Sequence, residues 1–176
     1  CALPISTSNS SLTYDVIHDI MEKDNQLWVA TDGGGINIIS LDDFSFTNIQ
    51  QKQDDVHSFP ANTIYRLYLD SANNMWAGSI RRGLIGIRNV FACSYQNVPF
   101  GNLYGLSNQT INSFFQDSDG MVWVGTDGGG INRFDPLTGT FKHYPSTMHE
   151  KVVSIVEYTP DELLFSSFNE GLFIDR

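Results

Sequence analysis

The sequence has few cysteines, few histidines and no long apolar run. Only Cys1 and Cys93 are present among its 176 residues, 92 positions apart, so no Cys-x-x-Cys pair exists. The four histidines show no metal-ligand spacing, and we therefore predict neither a metal site nor a cofactor. No apolar run approaches the roughly 20 residues that span a bilayer, so we expect no direct membrane contact by this segment.

Basic residues are also scarce. Ten Lys and Arg stand against twenty Asp and Glu, for a formal net charge of −10. Such a chain repels phosphate backbones, so we expect no nucleic-acid partner for this segment. The hydrophobic share of 41%, with twelve Phe, seven Tyr and three Trp, supplies a packed core and excludes a disordered chain.

The chain does contain an internal repeat. Trp28, Trp76 and Trp123 are 48 and 47 residues apart, and a weaker copy falls on Leu164, 41 residues further on. The four blocks read "WVATDGGGIN", "WAGSIRRGLI", "WVGTDGGGIN" and "LFSSFNEGLF". A period of 40 to 50 residues is typical of a solenoid or a propeller.

Three kinds of column in this internal alignment have a physical interpretation. The glycine seven residues after the Trp position recurs in all four copies, which predicts a positive φ there; the two residues before it vary, so we expect them to be free to change. Small residues two positions after the Trp predict close backbone approach. Apolar residues twelve and eight positions before the Trp predict an earlier strand. The columns are Gly35, Gly83, Gly130 and Gly171; Ala30, Gly78, Gly125 and Ser166; Val16, Ile64, Ile111 and Val152; and Ile20, Tyr68, Phe115 and Val156.

Each period reads as four short strands joined by tight turns, and no window shows an apolar stripe of helical period and length. We therefore predict an all-β chain, a partial β-propeller of about three to four four-stranded antiparallel blades. The predicted blades are 12–58, 59–106, 107–148 and an incomplete one at 149–176, with 1–11 as the end of a preceding blade. An open arc exposes apolar blade faces, so we expect it to pack against the remainder of a propeller or a second copy of the chain.

The run "DSDGMVWVGTDGGGIN" at 117–132, with its lead-in at 104–117 and a second lead-in at 59–70, resembles the two-component regulator propeller repeat. The fourth copy departs from the pattern, because it lacks the Trp and the Asp-Gly turn. The resemblance implies the periplasmic sensor region of an inner-membrane hybrid histidine kinase and response regulator of Bacteroides-type bacteria. It implies a segment that is not an enzyme, that detects carbohydrate fragments and that signals across the membrane.

Candidate ligand-binding residues are those that break the repeat. Arg81 and Arg82 replace two glycines of one turn, where adjacent guanidiniums could hold a uronate or sulfate group; a solvated turn is the alternative. Tyr95 and Tyr104 lie in an irregular aromatic insert and could line a ligand surface or cover a blade edge. The three Trp could stack on sugars, but their periodic placement favours packing between blades.

No catalytic constellation is legible, and we predict no catalytic residue. Two functions from other classes remain as alternatives to a sensor. One is a protein-interaction scaffold without a small ligand. The other is a propeller enzyme, either a glycosidase or a lyase; a glycosidase requires a pair of carboxylates about 5–9 Å apart.

Overall fold

The structure, a computed structural model, describes residues 12–53, 58–88, 91–95, 105–159 and 162–175. Its strands form three four-stranded sheets and one three-stranded sheet, each made of consecutive strands in simple order. Within these ranges the single helical element is a 3-10 turn at Pro145–Thr147. The all-β prediction is therefore confirmed. No helix within those ranges has the length and apolar character needed to cross a membrane.

The strand boundaries follow the repeat closely. The first sheet consists of β1 (Ile17–Lys23), β2 (Gln26–Thr31), β3 (Ile36–Ser40) and β4 (Phe46–Ile49). The second consists of β5 (Ile64–Leu69), β6 (Met75–Ser79), β7 (Leu84–Arg88) and β8 (Phe91–Tyr95). The third consists of β9 (Ile111–Gln116), β10 (Val122–Thr126), β11 (Ile131–Asp135) and β12 (Thr140–His143). The fourth consists of β13 (Val152–Thr159), β14 (Glu162–Ser167) and β15 (Gly171–Asp175).

The first strand of every sheet lies on the inside of the arc. Strand β1 contacts β5, β5 contacts β9, and β9 contacts β13, so the four inner strands stand side by side. Within each sheet, every strand pairs antiparallel with the next one along the chain. This is the arrangement of propeller blades, in which short sheets radiate from inner strands around a common axis.

The three Trp side chains pack between neighbouring blades. Trp28, Trp76 and Trp123 are only 8%, 2% and 7% exposed, which confirms their packing role. Each belongs to an apolar cluster that includes side chains of the following sheet. The partners from the following sheet include Ile64, Met75, Ala77 and Ile85 for Trp28; Ile111, Val122, Val124 and Phe134 for Trp76; and Val152, Ile155, Leu163 and Phe165 for Trp123.

The recurring glycine has the predicted backbone conformation in all four copies. The φ angles of Gly35, Gly83, Gly130 and Gly171 are 70°, 74°, 71° and 93°. In the first three blades this glycine also joins one blade to the next, because its N–H donates to a carbonyl in the following lead-in. The bonds are Gly35 to Asn62 at 2.7 Å, Gly83 to Gln109 at 2.9 Å and Gly130 to Glu150 at 3.2 Å.

The expectation that the two preceding glycines are free to vary is wrong for the first and third blades. A Cβ on Gly34 would lie 2.4 Å from Thr13 Oγ1, and one on Gly129 would lie 2.6 Å from Ser107 Oγ. Gly33 and Gly128 have positive φ angles of 118° and 93°. All three glycines of each "GGG" are therefore held, two by backbone conformation and one by the approach of the lead-in segment.

The predicted apolar columns are misplaced by one residue in the first blade. Ile17, not Val16, pairs with Thr31, and Met21, not Ile20, pairs with Trp28. The cause is a short turn: β1 and β2 are joined by Asp24 and Asn25 alone, with φ angles of 51° and 60°. The corresponding turns in the second and third blades contain five residues each, 70–74 between the pair Leu69 and Met75 and 117–121 between the pair Gln116 and Val122.

The fourth sheet presents an apolar face away from the third. Ile155, Leu163 and Phe165 point toward the third sheet and are buried there. Because side chains alternate along a strand, their neighbours occupy the opposite face. That face carries Val156, Leu172 and Ile174, which are 46%, 70% and 53% exposed, and Leu164 at the Trp position.

Candidate functional site

A pocket lies where the inner strands of three consecutive blades begin. We call it the inner-rim pocket; its cavity volume is about 310 Å³, at the lower end of the range for small-molecule sites. It has two aromatic rings, two cationic groups, one carboxylate, one amide and one aliphatic side chain. The lining residues are Tyr65, Arg66, Asn112, Asp127, Lys151, Val153 and Phe168.

The repeat itself brings these side chains together. Tyr65, Asn112 and Val153 are the second residues of the inner strands β5, β9 and β13. Asp127 and Phe168 each follow directly after the second strand of a blade, β10 or β14, and both meet Lys151. Asp127 forms an isolated bridge with Lys151, and the Phe168 N–H donates to the Lys151 carbonyl at 2.9 Å. Equivalent positions in successive blades thus converge on one rim.

One ion pair crosses the pocket from the third blade to the fourth. Lys151 Nζ lies 3.1 Å from Asp127 Oδ1, and the two side chains are 49% and 40% exposed. A pair this accessible to water contributes little to folding, about 0–1 kcal/mol. Its significance is electrostatic, since it neutralises the one carboxylate that lines the pocket.

Arg66 is fixed by main-chain carbonyls of three inner-strand residues. Its Nε donates to Asn112 O at 3.0 Å, and its Nη1 donates to His18 O and to Tyr65 O at 3.4 Å each. The guanidinium carbon also lies 5.0 Å from the centre of the Tyr65 ring, a cation–π contact. The guanidinium therefore has a defined position at the pocket wall and reaches from the second blade to its neighbours on both sides.

Polar groups continue along the rim into the first blade. The His18 ring lies 4.7 Å from the Tyr65 ring, and His18 Nε2 lies 4.0 Å from Asp32 Oδ2. His18 and Asp32 occupy the positions in the first blade that correspond to Tyr65 and Asp127. The rim thus presents a different pair of side chains in each blade.

Arg81 and Arg82 lie on the same rim, in the loop between β6 and β7, and do not line the inner-rim pocket. Both side chains are exposed. Arg81 holds a φ of 71°, and the Arg82 N–H donates to Ser79 Oγ at 3.0 Å. Their role in binding an acidic group stays a prediction.

Tyr95 ends the outer strand β8 and packs toward the third blade. Its ring centre lies 4.9 Å from that of Phe134, 5.9 Å from that of Phe141 and 6.4 Å from that of Trp76. The ring therefore closes the outer end of the core between the second and third blades. Tyr104 lies outside the described residues, and ligand binding by either tyrosine stays a prediction.

The inner-rim pocket was missed from the sequence, although the repeat alignment contains a signal for it. The position four residues after the Trp carries Asp32, Ile80, Asp127 and Phe168. A position that the fold keeps in place but whose chemistry changes from copy to copy is a candidate for specific binding. The neighbouring inner-strand position was hidden by the one-residue shift in the first blade.

The "DSDG" turn at 117–120 serves the fold. Asp117 accepts hydrogen bonds from the Trp123 indole at 2.7 Å and from Met121 N at 2.8 Å, and it forms an ion pair with Arg133 at 3.1 Å. Over the described part of the chain, no group of three or more His, Cys, Asp or Glu is placed to hold a metal ion. Cys93 is an exposed free thiol.

Parts of the chain are similar to known proteins. The model of the two-component regulator propeller family matches residues 58–81 and 105–128. A search of curated proteins finds no match. The extracellular domain of a hybrid two-component system from B. thetaiotaomicron has a TM-score of 0.83 and 24% identity, over 99% of this chain and 24% of that one. This chain therefore spans about a quarter of that structure.

Two further structures share the fold at lower identity. Virginiamycin B lyase from Staphylococcus aureus has a TM-score of 0.61 and 13% identity, over 92% of this chain and 55% of that one. An auxiliary nutrient binding protein from Bacteroides thetaiotaomicron has a TM-score of 0.61 and 8% identity, over 90% of this chain and 37% of that one. At such identities the likeness concerns the fold alone, so the lyase carries no activity over to this chain.

The match is to a family of regulators, not of enzymes, and it covers two stretches of this segment. Its blades, its interlocking glycine loops and its Trp columns are those of a propeller. Residues 58–81 and 105–128 are similar to the two-component regulator propeller repeat, and the chain is an all-β protein of propeller blades.

Proposed function

We propose that this chain is the extracytoplasmic, ligand-sensing part of a hybrid two-component histidine kinase and response regulator, and that it detects carbohydrate fragments in the periplasm. The observation that carries the proposal is the pair of regulator propeller repeats at 58–81 and 105–128. The fold it shares with the extracellular domain of a hybrid two-component system supports the same role. Binding favours one arrangement of the sensor, and that bias passes to the kinase without chemistry on the ligand.

The inner-rim pocket has the composition expected of a saccharide site. Tyr65 and Phe168 offer aromatic faces, and Phe168 is 75% exposed. Asn112 and the Asp127–Lys151 pair offer hydrogen-bond donors and acceptors for ring hydroxyls. Apolar walls with a few placed polar groups are the usual design of a small-molecule site.

Calorimetry of the purified chain against a panel of neutral and acidic oligosaccharides tests this proposal. We expect at least one member to bind and to raise the unfolding temperature. The control is Phe168→Ala, which removes an exposed ring of the pocket and should weaken that binding while the far-UV spectrum stays unchanged. A chain that binds no member of the panel contradicts carbohydrate sensing.

A protein-interaction scaffold is the second candidate, and one observation favours it. The outer face of the fourth sheet exposes Val156, Leu172 and Ile174. Such a face suits the remainder of a propeller or a second copy of the chain. Sedimentation of wild type and of Leu172→Glu tests closure by a second copy of the chain. A wild-type dimer that the introduced charge dissociates supports such closure, and a monomer in both proteins rejects it.

A further inference from the structure

Arg66 differs from the other half-buried cations of this protein. The Lys and Arg side chains that the structure describes as half-buried are Lys23, Arg66 and Arg133. Lys23 pairs with Asp24 at 2.7 Å, and Arg133 pairs with Asp117 at 3.1 Å. No described carboxylate lies within 4.0 Å of Arg66, in a chain whose formal net charge is −10. Carboxylates outnumber cations two to one here, so an unpaired guanidinium in a pocket calls for an explanation.

The carbonyls that hold Arg66 position it without neutralising it. They occupy its Nε and Nη1, whereas Nη2 has no hydrogen-bond partner among the described residues. The buried side-chain nitrogen and oxygen atoms that lack a partner belong to other residues, so Nη2 of Arg66 is in contact with solvent. A guanidinium held in this way is charged and has a donor available to a ligand.

The charge of the pocket as a whole is positive. Arg66 and Lys151 are its two cations and Asp127 is its one carboxylate, which leaves one net positive charge. Asp127 is paired with Lys151, so it repels an incoming anion less than a free carboxylate would. Phe168 and Tyr65 stand beside these groups and match the apolar face of a pyranose ring.

We infer that the inner-rim pocket binds an acidic saccharide, and that Arg66 receives its carboxylate or sulfate group. This inference rests on the proposed function and adds to it the chemical class of the ligand. Arginine suits the task because its planar fork meets two oxygens of a carboxylate or sulfate at once. Asn112 and the Asp127–Lys151 pair are left for the hydroxyls of the ring.

The experiment is calorimetry of the purified chain with trigalacturonate, with a neutral galactose trisaccharide and with a sulfated galactose trisaccharide. We expect wild type to bind at least one of the two acidic sugars at least tenfold more tightly than the neutral one. Comparison of the uronate and the sulfate shows which anion the pocket accepts. Raising the salt concentration should weaken the binding of the acidic ligand and leave the binding of any neutral ligand unchanged.

Two pocket variants and one matched control assign the site. Arg66→Gln should weaken the acidic ligand at least tenfold and leave neutral binding within twofold. Because Arg66 also bonds to main-chain carbonyls, Lys151→Glu provides a second test: this side chain is 49% exposed, so its reversal alters the pocket and not the fold. Lys142→Gln, an exposed cation that does not line the pocket, is the matched control and should bind as wild type does. Arg81→Gln tests the other candidate anion site, in the β6–β7 loop.

Three outcomes overturn the inference. Tight binding of neutral sugars alone rejects it and leaves the proposed function standing. Acidic binding that survives both Arg66→Gln and Lys151→Glu but is lost in Arg81→Gln moves the anion site to the β6–β7 loop. Absence of binding by every sugar rejects the inference together with carbohydrate sensing.

Discussion

The first blade and the two that follow it join their first two strands by different turns, and the turn decides whether the Trp indole N–H has an acceptor. In the second and third blades, an Asp at the start of the turn accepts the Trp indole N–H: Asp70 from Trp76 at 2.8 Å and Asp117 from Trp123 at 2.7 Å. In the first blade the turn is shorter, and Trp28 Nε1 is buried without a partner among the described residues. The indole N–H of this Trp position therefore has an acceptor in the second and third blades and none among the described residues in the first.

The turn Asp of the second and third blades accepts hydrogen bonds with both of its carboxylate oxygens, and the first of them binds the indole N–H. Its second oxygen accepts two backbone N–H groups of the turn, at 3.0 and 2.8 Å for Asp70 and at 3.1 and 2.8 Å for Asp117. The turn and the core are thus joined through a single side chain. A turn that looks like a surface feature in the sequence is part of the packing between blades, and the first blade lacks that link.

The largest effect is expected from Asp117→Ala. The change leaves the Trp123 indole and two backbone N–H groups without their acceptor and leaves the Arg133 guanidinium with Asp119 alone, at a side chain only 7% exposed. Because each buried donor left without an acceptor costs about 1–3 kcal/mol, we expect a loss of about 3 kcal/mol in the free energy of unfolding. Urea unfolding measures it.

The control for Asp117→Ala is Asp119→Ala, in the same turn. Asp119 is 79% exposed and reaches Arg133 only at 3.3 Å, so its loss should cost less than about 1 kcal/mol. Equal losses in the two variants would show that the buried carboxylate carries no special weight in the third blade.

Trp76→Phe and Trp28→Phe compare the two kinds of blade directly. In the second blade the substitution removes a hydrogen bond to buried Asp70, whereas in the first it removes an N–H that has no partner. A hydrogen bond to a charged group contributes about 1–3 kcal/mol to stability, and an unsatisfied buried polar group costs a similar amount. The free energy of unfolding should therefore fall by about 1–3 kcal/mol more in Trp76→Phe than in Trp28→Phe. Chemical denaturation of both variants gives the difference, and an equal loss in both contradicts it.

The difference between blades also marks what the sequence could predict. The period of the Trp residues and the recurring glycine were enough for the all-β propeller fold, because each blade must bury the same column against its neighbour. The Trp packing between blades followed from the same periodicity. These features depend on spacing within a repeat, which a sequence displays directly.

The register of the first blade and the inner-rim pocket could not be predicted in the same way. Alignment on the Trp assumes turns of equal length, and the two-residue turn at Asp24 and Asn25 broke that assumption. The inner-rim pocket combines Arg66, Asn112 and Lys151 from three different blades. Such neighbours are set by how blades stack around an axis. The variable position four residues after the Trp marks the rim in the sequence, but it does not show which side chains meet there.

A turn graft should repair the first blade. Replacement of residues 23–26 by Asp-Ser-Ala-Asn-Asn, the turn of the second blade at 70–74, places a carboxylate where Trp28 Nε1 needs one. We expect a gain of about 1 kcal/mol, the net value of a typical hydrogen bond. Thermal unfolding measures it against a control graft with Ala in place of the Asp. A control that is as stable as the graft would show that the indole needs no acceptor.

The smallest effect is expected at Asp24, the acidic residue that the first blade does have in its turn. Its hydrogen bond and charge contact with Lys23 at 2.7 Å lower the pKa of Asp24, yet the carboxylate faces water and touches no indole. A lowered pKa stabilises the fold above the unfolded-state pKa of about 4, and that stabilisation is lost as the pH falls through the folded-state value. Asn keeps the positive φ of 51° in this turn, so Asp24→Asn tests the charge alone. The two unfolding temperatures should differ slightly at pH 7, and the difference should shrink as the pH is lowered below the unfolded-state pKa of about 4. A large loss at pH 7 would mean that an exposed turn carboxylate stabilises a blade as well as a buried one does, and the contrast between the first blade and its neighbours would then disappear.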